Sequence, residues 1–137
     1  MCRPKTASRL PGVLLTVFLL IGFLLRFLHT FDMRASPIFD RPVMDPGYHD
    51  EWARSIVAGK PITDGEPFFR APAYPYFLAA VYKVGGGDPL HPRLVQAVLG
   101  VLSLYLAFRI GRRLFGRGAA LLAVFLALLY PILLFFE

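Results

Sequence analysis

Three long apolar runs constrain this 137-residue chain more than any other feature. Residues 10–28 read LPGVLLTVFLLIGFLLRFL, with Arg26 as the only charge. Residues 94–110 read LVQAVLGVLSLYLAFRI and are charged only at Arg109. Residues 119–136 read AALLAVFLALLYPILLFF and carry no charge. A helix needs about 17–25 mostly apolar residues to cross the hydrocarbon core of a bilayer. All three runs meet that length. Helix is the form expected in lipid because it satisfies its own backbone hydrogen bonds. Pro131 predicts a kink in the third run, where it frees a carbonyl that a neighbouring helix must cover. The fold class expected is therefore all-α and integral to a membrane, with three spans over about 10–28, 94–110 and 119–136.

The charges give these spans an orientation. Arg3, Lys5 and Arg9 precede the first run, and Arg109, Arg112, Arg113 and Arg117 lie at or between the second and third. Those two short segments hold seven basic residues and no acid, whereas residues 30–92 hold six basic and eight acidic ones. Short basic segments stay on the cytoplasmic side. The N-terminus is expected inside and loop 30–92 outside, or periplasmic, in a multi-pass protein of the plasma or inner membrane. The net charge of +6 thus records topology rather than affinity for nucleic acid, and no nucleic-acid partner is expected. The first run is long and lacks a small-x-small site after Phe27, which favours an uncleaved anchor over a signal peptide. A single cysteine, Cys2, excludes a disulfide framework.

Loop 30–92 carries helix punctuation. Asp45-Pro46 reads as an N-cap followed by proline at the first helical position. Tyr48, Trp52 and Ile56 recur at helical spacing, Gly59 closes the segment, and His49, Asp50 and Arg54 form the opposite face. An amphipathic helix at the membrane surface or against other helices follows. Pro75 then opens a second helix over 76–84, which Gly85-Gly86-Gly87 stops. That triplet is no phosphate loop, since neither a strand before it nor Gly-Lys-Ser/Thr after it is present.

Each candidate residue has a structural alternative. Asp45 serves equally as a cap. Asp50 and Glu51 are adjacent and diverge on a helix, as a solvated face would. Arg70 and Arg93 suit headgroup anchoring, and Tyr74 an interfacial belt. His29, His49 and His91 lack a metal-site spacing.

The order Asp45, Tyr48, Ala53, Ile56, Gly59 resembles the acidic, aromatic, Ala, Ile, Gly signature of a known class of enzymes. These are the polytopic GT-C glycosyltransferases of the protein-O-mannosyltransferase-like superfamily (glycosyltransferase family 39, with aminoarabinose and galacturonic acid transferases). Phe69 to Ala79, reading FRAPAYPYFLA, resembles its second loop motif, with Arg93-Leu94-Val95-Gln96 and Gly111 to Gly116 resembling the next helix and its turn. Many members carry Asp-Glu at the first motif, whereas Pro46 follows Asp45 here and the Asp-Glu pair is Asp50-Glu51.

The resemblance implies that 1–137 is the N-terminal part of a GT-C enzyme, inactive as an isolated piece, with its site in loop 30–92. It implies transfer of a sugar from a polyprenyl-phosphate donor to a hydroxyl of a lipid, protein or glycan acceptor on the outer face. Asp45 would be the general base, with Asp50 and Glu51 as runners-up, and Arg70, Tyr74 and Arg93 would bind substrate. No cofactor is implied with certainty, and a divalent metal stays open. The competing expectation is a non-enzymatic small membrane subunit whose outer loop docks a partner. A transporter piece fits poorly, because Arg26 is almost the only ionisable residue inside the spans.

Overall fold

The computed structural model describes residues 10–37, 39–40, 44–60 and 71–130. Every regular element among them is helical. In chain order they are α1 (Leu10–Asp32), a 3₁₀ turn (Met33–Ala35), α2 (Met44–Val57), α3 (Ala73–Gly85), α4 (Leu90–Leu114) and α5 (Gly116–Leu128). The described residues divide into two compact units, 10–29 with 96–130, and 30–95.

In the first unit an apolar seam joins three helices. Leu104 and Phe108 of α4 pack with Ala120, Val124 and Leu128 of α5, and Leu15, Phe18 and Leu19 of α1 close over them. The seam residues recur every four positions, the spacing that puts side chains on one helix face. Small residues let the backbones approach. A Cβ on Gly111 would lie 3.3 Å from that of Ala120, and one on Gly22 would lie 2.9 Å from Leu128 Cδ2. Such small-residue contacts are how helices associate in lipid, where burial of apolar surface no longer drives them together. Arg26 is buried within this unit and donates from Nη1 to Gly22 O at 3.2 Å.

Among the described residues two helices are long and apolar enough to cross a membrane, Leu10–Ala35 and Leu90–Leu114. Only 11% of the first apolar window and 17% of the second is buried, unlike the core helix of a soluble protein, which is mostly buried. The expected third span is not established. Its helix covers only the 13 residues Gly116–Leu128, about 20 Å of rise, and residues 131–136 of the run lie outside those described. The described helix ends three residues before Pro131. Pro131 itself, with the kink expected there, lies outside the described residues.

The basic stretch at and between the second and third apolar runs is mostly helix. α4 runs on through Arg112 and Arg113, and only Phe115 separates it from α5. Arginine is a good helix former, and cations in a last turn complement the helix dipole. Gly116, at φ +86°, supplies the left-handed residue that ends α4.

In the second unit α2 and α3 pack as a pair around Ala53, Leu78, Ala79 and Tyr82, with Ile56 and Phe77 at the margin. Their ends behave as the glycines predict. Gly59 N–H bonds to Ile56 O and Lys60 N–H to Ser55 O, both at 3.0 Å, the paired closure of a Schellman motif. Gly86 takes φ +73° after α3.

The start of α2 departs from expectation. The helix begins at Met44, so Asp45 and Pro46 lie in its first turn and Asp45 is not the residue before it. An aspartate-proline start is realised at Asp88-Pro89. There Asp88 Oδ1 accepts the N–H of Leu90 at 2.8 Å, and Pro89, which has no N–H to satisfy, stands immediately before α4. α3 starts at Ala73, three residues before the expected Tyr76, with Pro75 buried in its first turn.

Candidate functional site

Residues 30–95 hold eight of the chain's nine acidic side chains and half of its aromatic ones. At the centre of this second unit is Asp50, buried at 9% exposure on the face of α2 that meets α3. The solvated-face expectation fails for this residue, because α3 covers that face. Glu51, pointing elsewhere on α2, is exposed as expected. Both carboxylate oxygens of Asp50 are engaged. Tyr82 donates its hydroxyl to Oδ1, and Arg54 donates Nε to Oδ2 at 2.8 Å. The Arg54 guanidinium also lies over the Tyr82 ring, 4.9 Å from its centroid.

These contacts carry an electrostatic signature. The hydrogen bond that Arg54 donates to Asp50 raises the Arg54 pKa above its ordinary value, more than burial lowers it. Tyr82 is pushed well above the ordinary tyrosine value, first by burial and then by its bond to Asp50. A neutral tyrosine and a charged arginine therefore hold one carboxylate between two helices.

Around this clasp lies an aromatic strip. His49 meets Tyr74 edge-on, with centroids 5.2 Å apart, and Tyr74 stacks on Phe77 at 6.2 Å. Tyr48 meets both His49 and Trp52 edge-on. Trp52 is buried, whereas Tyr48 and Tyr74 remain about 40% open. Arg93, in the first turn of α4, is half-buried. It donates Nη2 to Phe39 O at 3.1 Å, and its guanidinium sits 3.8 Å above the Phe39 ring. Tyr74, Tyr82, Asp40 and Asp50 are its electrostatic neighbours. Arg93 Nη1 and His49 Nδ1 are buried with no hydrogen-bond partner among the described residues.

The residues singled out by sequence thus separate. Asp50, Tyr74 and Arg93 fall in one electrostatic neighbourhood. Asp45 stands exposed in the first turn of α2, away from the clasp along the helix. Arg70 lies outside the described residues. Tyr82, Arg54, His49 and Phe39 were missed. Arg54 was readable, since it lies four residues after Asp50 on a helix. Tyr82 is 32 residues from Asp50, and no local signal joins them. Among the described residues no group of three or more His, Cys, Asp or Glu side chains could hold a metal ion.

Residues 69–136 match the family model of dolichyl-phosphate-mannose-protein mannosyltransferase. The matched segment takes in α3, α4 and α5, and so contains Tyr74, Tyr82 and Arg93, while Asp45, Asp50 and Arg54 precede it. No curated protein and no solved structure matches the chain.

Proposed function

We propose that this chain forms part of a membrane glycosyltransferase that moves a sugar from a polyprenyl-phosphate donor to an acceptor hydroxyl. The match of residues 69–136 to a mannosyltransferase family carries this reading. Two helices able to cross a membrane support it, because a polyprenyl donor is itself a membrane lipid. The acceptor is a lipid, protein or glycan at the outer face, in a cell membrane that the chain crosses several times with its N-terminus inside.

Asp45 is the general base in this reading. Its exposure leaves it within reach of an acceptor, and a base must touch the proton it removes. Its place in the first turn of α2 favours a negative charge, through the helix dipole. Asp45 takes the hydroxyl proton as the acceptor oxygen bonds to the anomeric carbon. The bond from that carbon to the phosphate oxygen breaks, the electron pair leaves with the polyprenyl phosphate, and the anomeric centre inverts.

Arg93, with Nη1 uncommitted among the described residues, receives the charge that grows on the phosphate. Guanidinium is suited to this because it bonds phosphate through two N–H groups at once. Arg70 serves as a second phosphate cation, and Tyr74 offers an open ring face to the sugar. Asp50, with both oxygens occupied, positions α2 against α3 and is not the base.

The test is sugar transfer in membranes from a labelled polyprenyl-phosphate sugar, using the full protein that carries this chain. Asp45→Asn is expected to lower the rate by about 10²–10⁴-fold with unchanged protein level, the usual range for a lost general base. A wild-type rate in that variant would remove Asp45 from the chemistry. Absence of transfer by the unmutated protein with every polyprenyl-linked sugar would overturn the whole reading.

A further inference from the structure

The turn between α4 and α5 has no part in the proposed chemistry, yet it concentrates charge and apolar surface. Arg109, Arg112 and Arg113 lie at i, i+3 and i+4, one face of the last two turns of α4. Arg117 follows in the first turn of α5. All four are exposed, and residues 89–136 contain no acidic side chain at all. Arg109 is steadied by Tyr105, whose hydroxyl accepts from Nη1 at 2.9 Å. Leu114 and Phe115, at the apex, are 68% and 76% exposed, and Ile110 beside them is 59% exposed. Close approach of Gly111 to Ala120 keeps the two helices together at this end of the unit.

A basic patch alone would suit any polyanion. Three features single out a lipid. The arginines directly follow the apolar stretch of a helix able to span a bilayer, so insertion of α4 brings them to the headgroup layer on whichever side it emerges. Exposed Leu114 and Phe115 among them match acyl chains, which lie next to headgroups. The exposed side of α5 beyond the turn continues the apolar surface through Leu122, Phe125 and Leu126.

We infer that the Arg109–Arg117 turn is a binding site for an anionic phospholipid, whose phosphate the arginines take while Leu114 and Phe115 enter the acyl layer. The site is independent of the glycosyl-transfer reading.

The test uses the full chain with Phe115→Trp, reconstituted into vesicles of zwitterionic and anionic phospholipids. Bromine is placed on the acyl chains of one lipid class at a time. The contribution of Trp52 is measured in the parent chain and subtracted. Brominated phosphatidylglycerol is expected to quench the new tryptophan with an affinity at least about threefold above that of brominated phosphatidylcholine, in keeping with anionic-lipid attraction to juxtamembrane arginines. Adding R112Q, R113Q and R117Q is expected to abolish the preference. The matching lysine variants keep most of it, since charge is retained. Should the triple glutamine variant fail to fold, single Arg→Gln substitutions are expected to lower the preference stepwise. Equal quenching by both lipids in the arginine-bearing chain, or an undiminished preference in the glutamine variants, would overturn the site.

Discussion

The two units of this protein are held together by opposite means. Around α1, α4 and α5 the contacts are apolar and close, set by Gly22, Gly111, Ala120 and the fully buried Val124. Around α2 and α3 the core includes a carboxylate, a phenol and a guanidinium in one hydrogen-bonded group. The difference fits the apolar character of α1 and α4, each long and apolar enough to cross a membrane. Helices in lipid gain little from hiding more hydrocarbon, so shape decides their packing. In the α2–α3 pair the polar helix α2 meets the apolar α3, and charge-assisted hydrogen bonds add strength and register to the apolar contact.

The sharpest way to break this comparison is Asp50→Ala. It strands the buried Tyr82 hydroxyl and removes the acceptor of Arg54. A cost of about 2–3 kcal/mol is expected, the range for hydrogen bonds to charged groups. Hydrogen exchange should rise in α2 and α3 and stay unchanged along α4 from Leu104 onward. Equal loosening of both sets would mean that the units are not energetically separate.

Gly22→Val probes the other side. The added carbons meet Leu128 and Leu104 at or inside contact distance. Overpacking of this kind costs about 1–3 kcal/mol. Thermal unfolding should fall, with exchange increasing in α1 and α5 while α2 and α3 keep their protection.

Tyr82→Phe removes one bond of the clasp and leaves its ring, for a loss of about 1 kcal/mol. It also tests the electrostatics. The folded Tyr82 holds its proton more tightly than the unfolded chain does, so its contribution is complete below the ordinary tyrosine pKa of 10.0 and fades as pH rises past it. An alkaline loss of stability beginning near that pH, followed through Trp52 fluorescence, should be present in the parent and absent in the phenylalanine variant.

Asp88→Ala is expected to cost no more than Tyr82→Phe, about 1 kcal/mol for a lost N-cap. Fraying should be confined to the amides at the start of α4, Leu90 first. No change at Leu90 would mean that Pro89 alone sets the helix start.

Much of this architecture can be read along the chain, because its causes are local. Apolar length marked α1 and α4 as possible spans. Glycines at 59 and 86 ended helices through their own freedom at positive φ. Proline and aspartate together marked a helix start: Asp88 accepts the N–H of Leu90 at the start of α4, while Asp45 and Pro46 lie inside α2, which begins two residues before Pro46. The basic residues were legible as a cluster, but their membership in α4 was not, since arginine continues a helix as readily as it solvates a loop.

What lay beyond local reading was the partner across space. Asp50 looks like one more charge on a polar face until α3 covers it and Tyr82 arrives from 32 residues away. Arg93 resembles an anchor at a helix start until Phe39, 54 residues earlier, takes one of its N–H groups and lies beneath its guanidinium. Hydrophobic length, helix stops and charge bias are properties of neighbouring residues, so the sequence by itself determined them. Which carboxylate is buried and bonded depends on long-range pairing, and only the tertiary structure decided it.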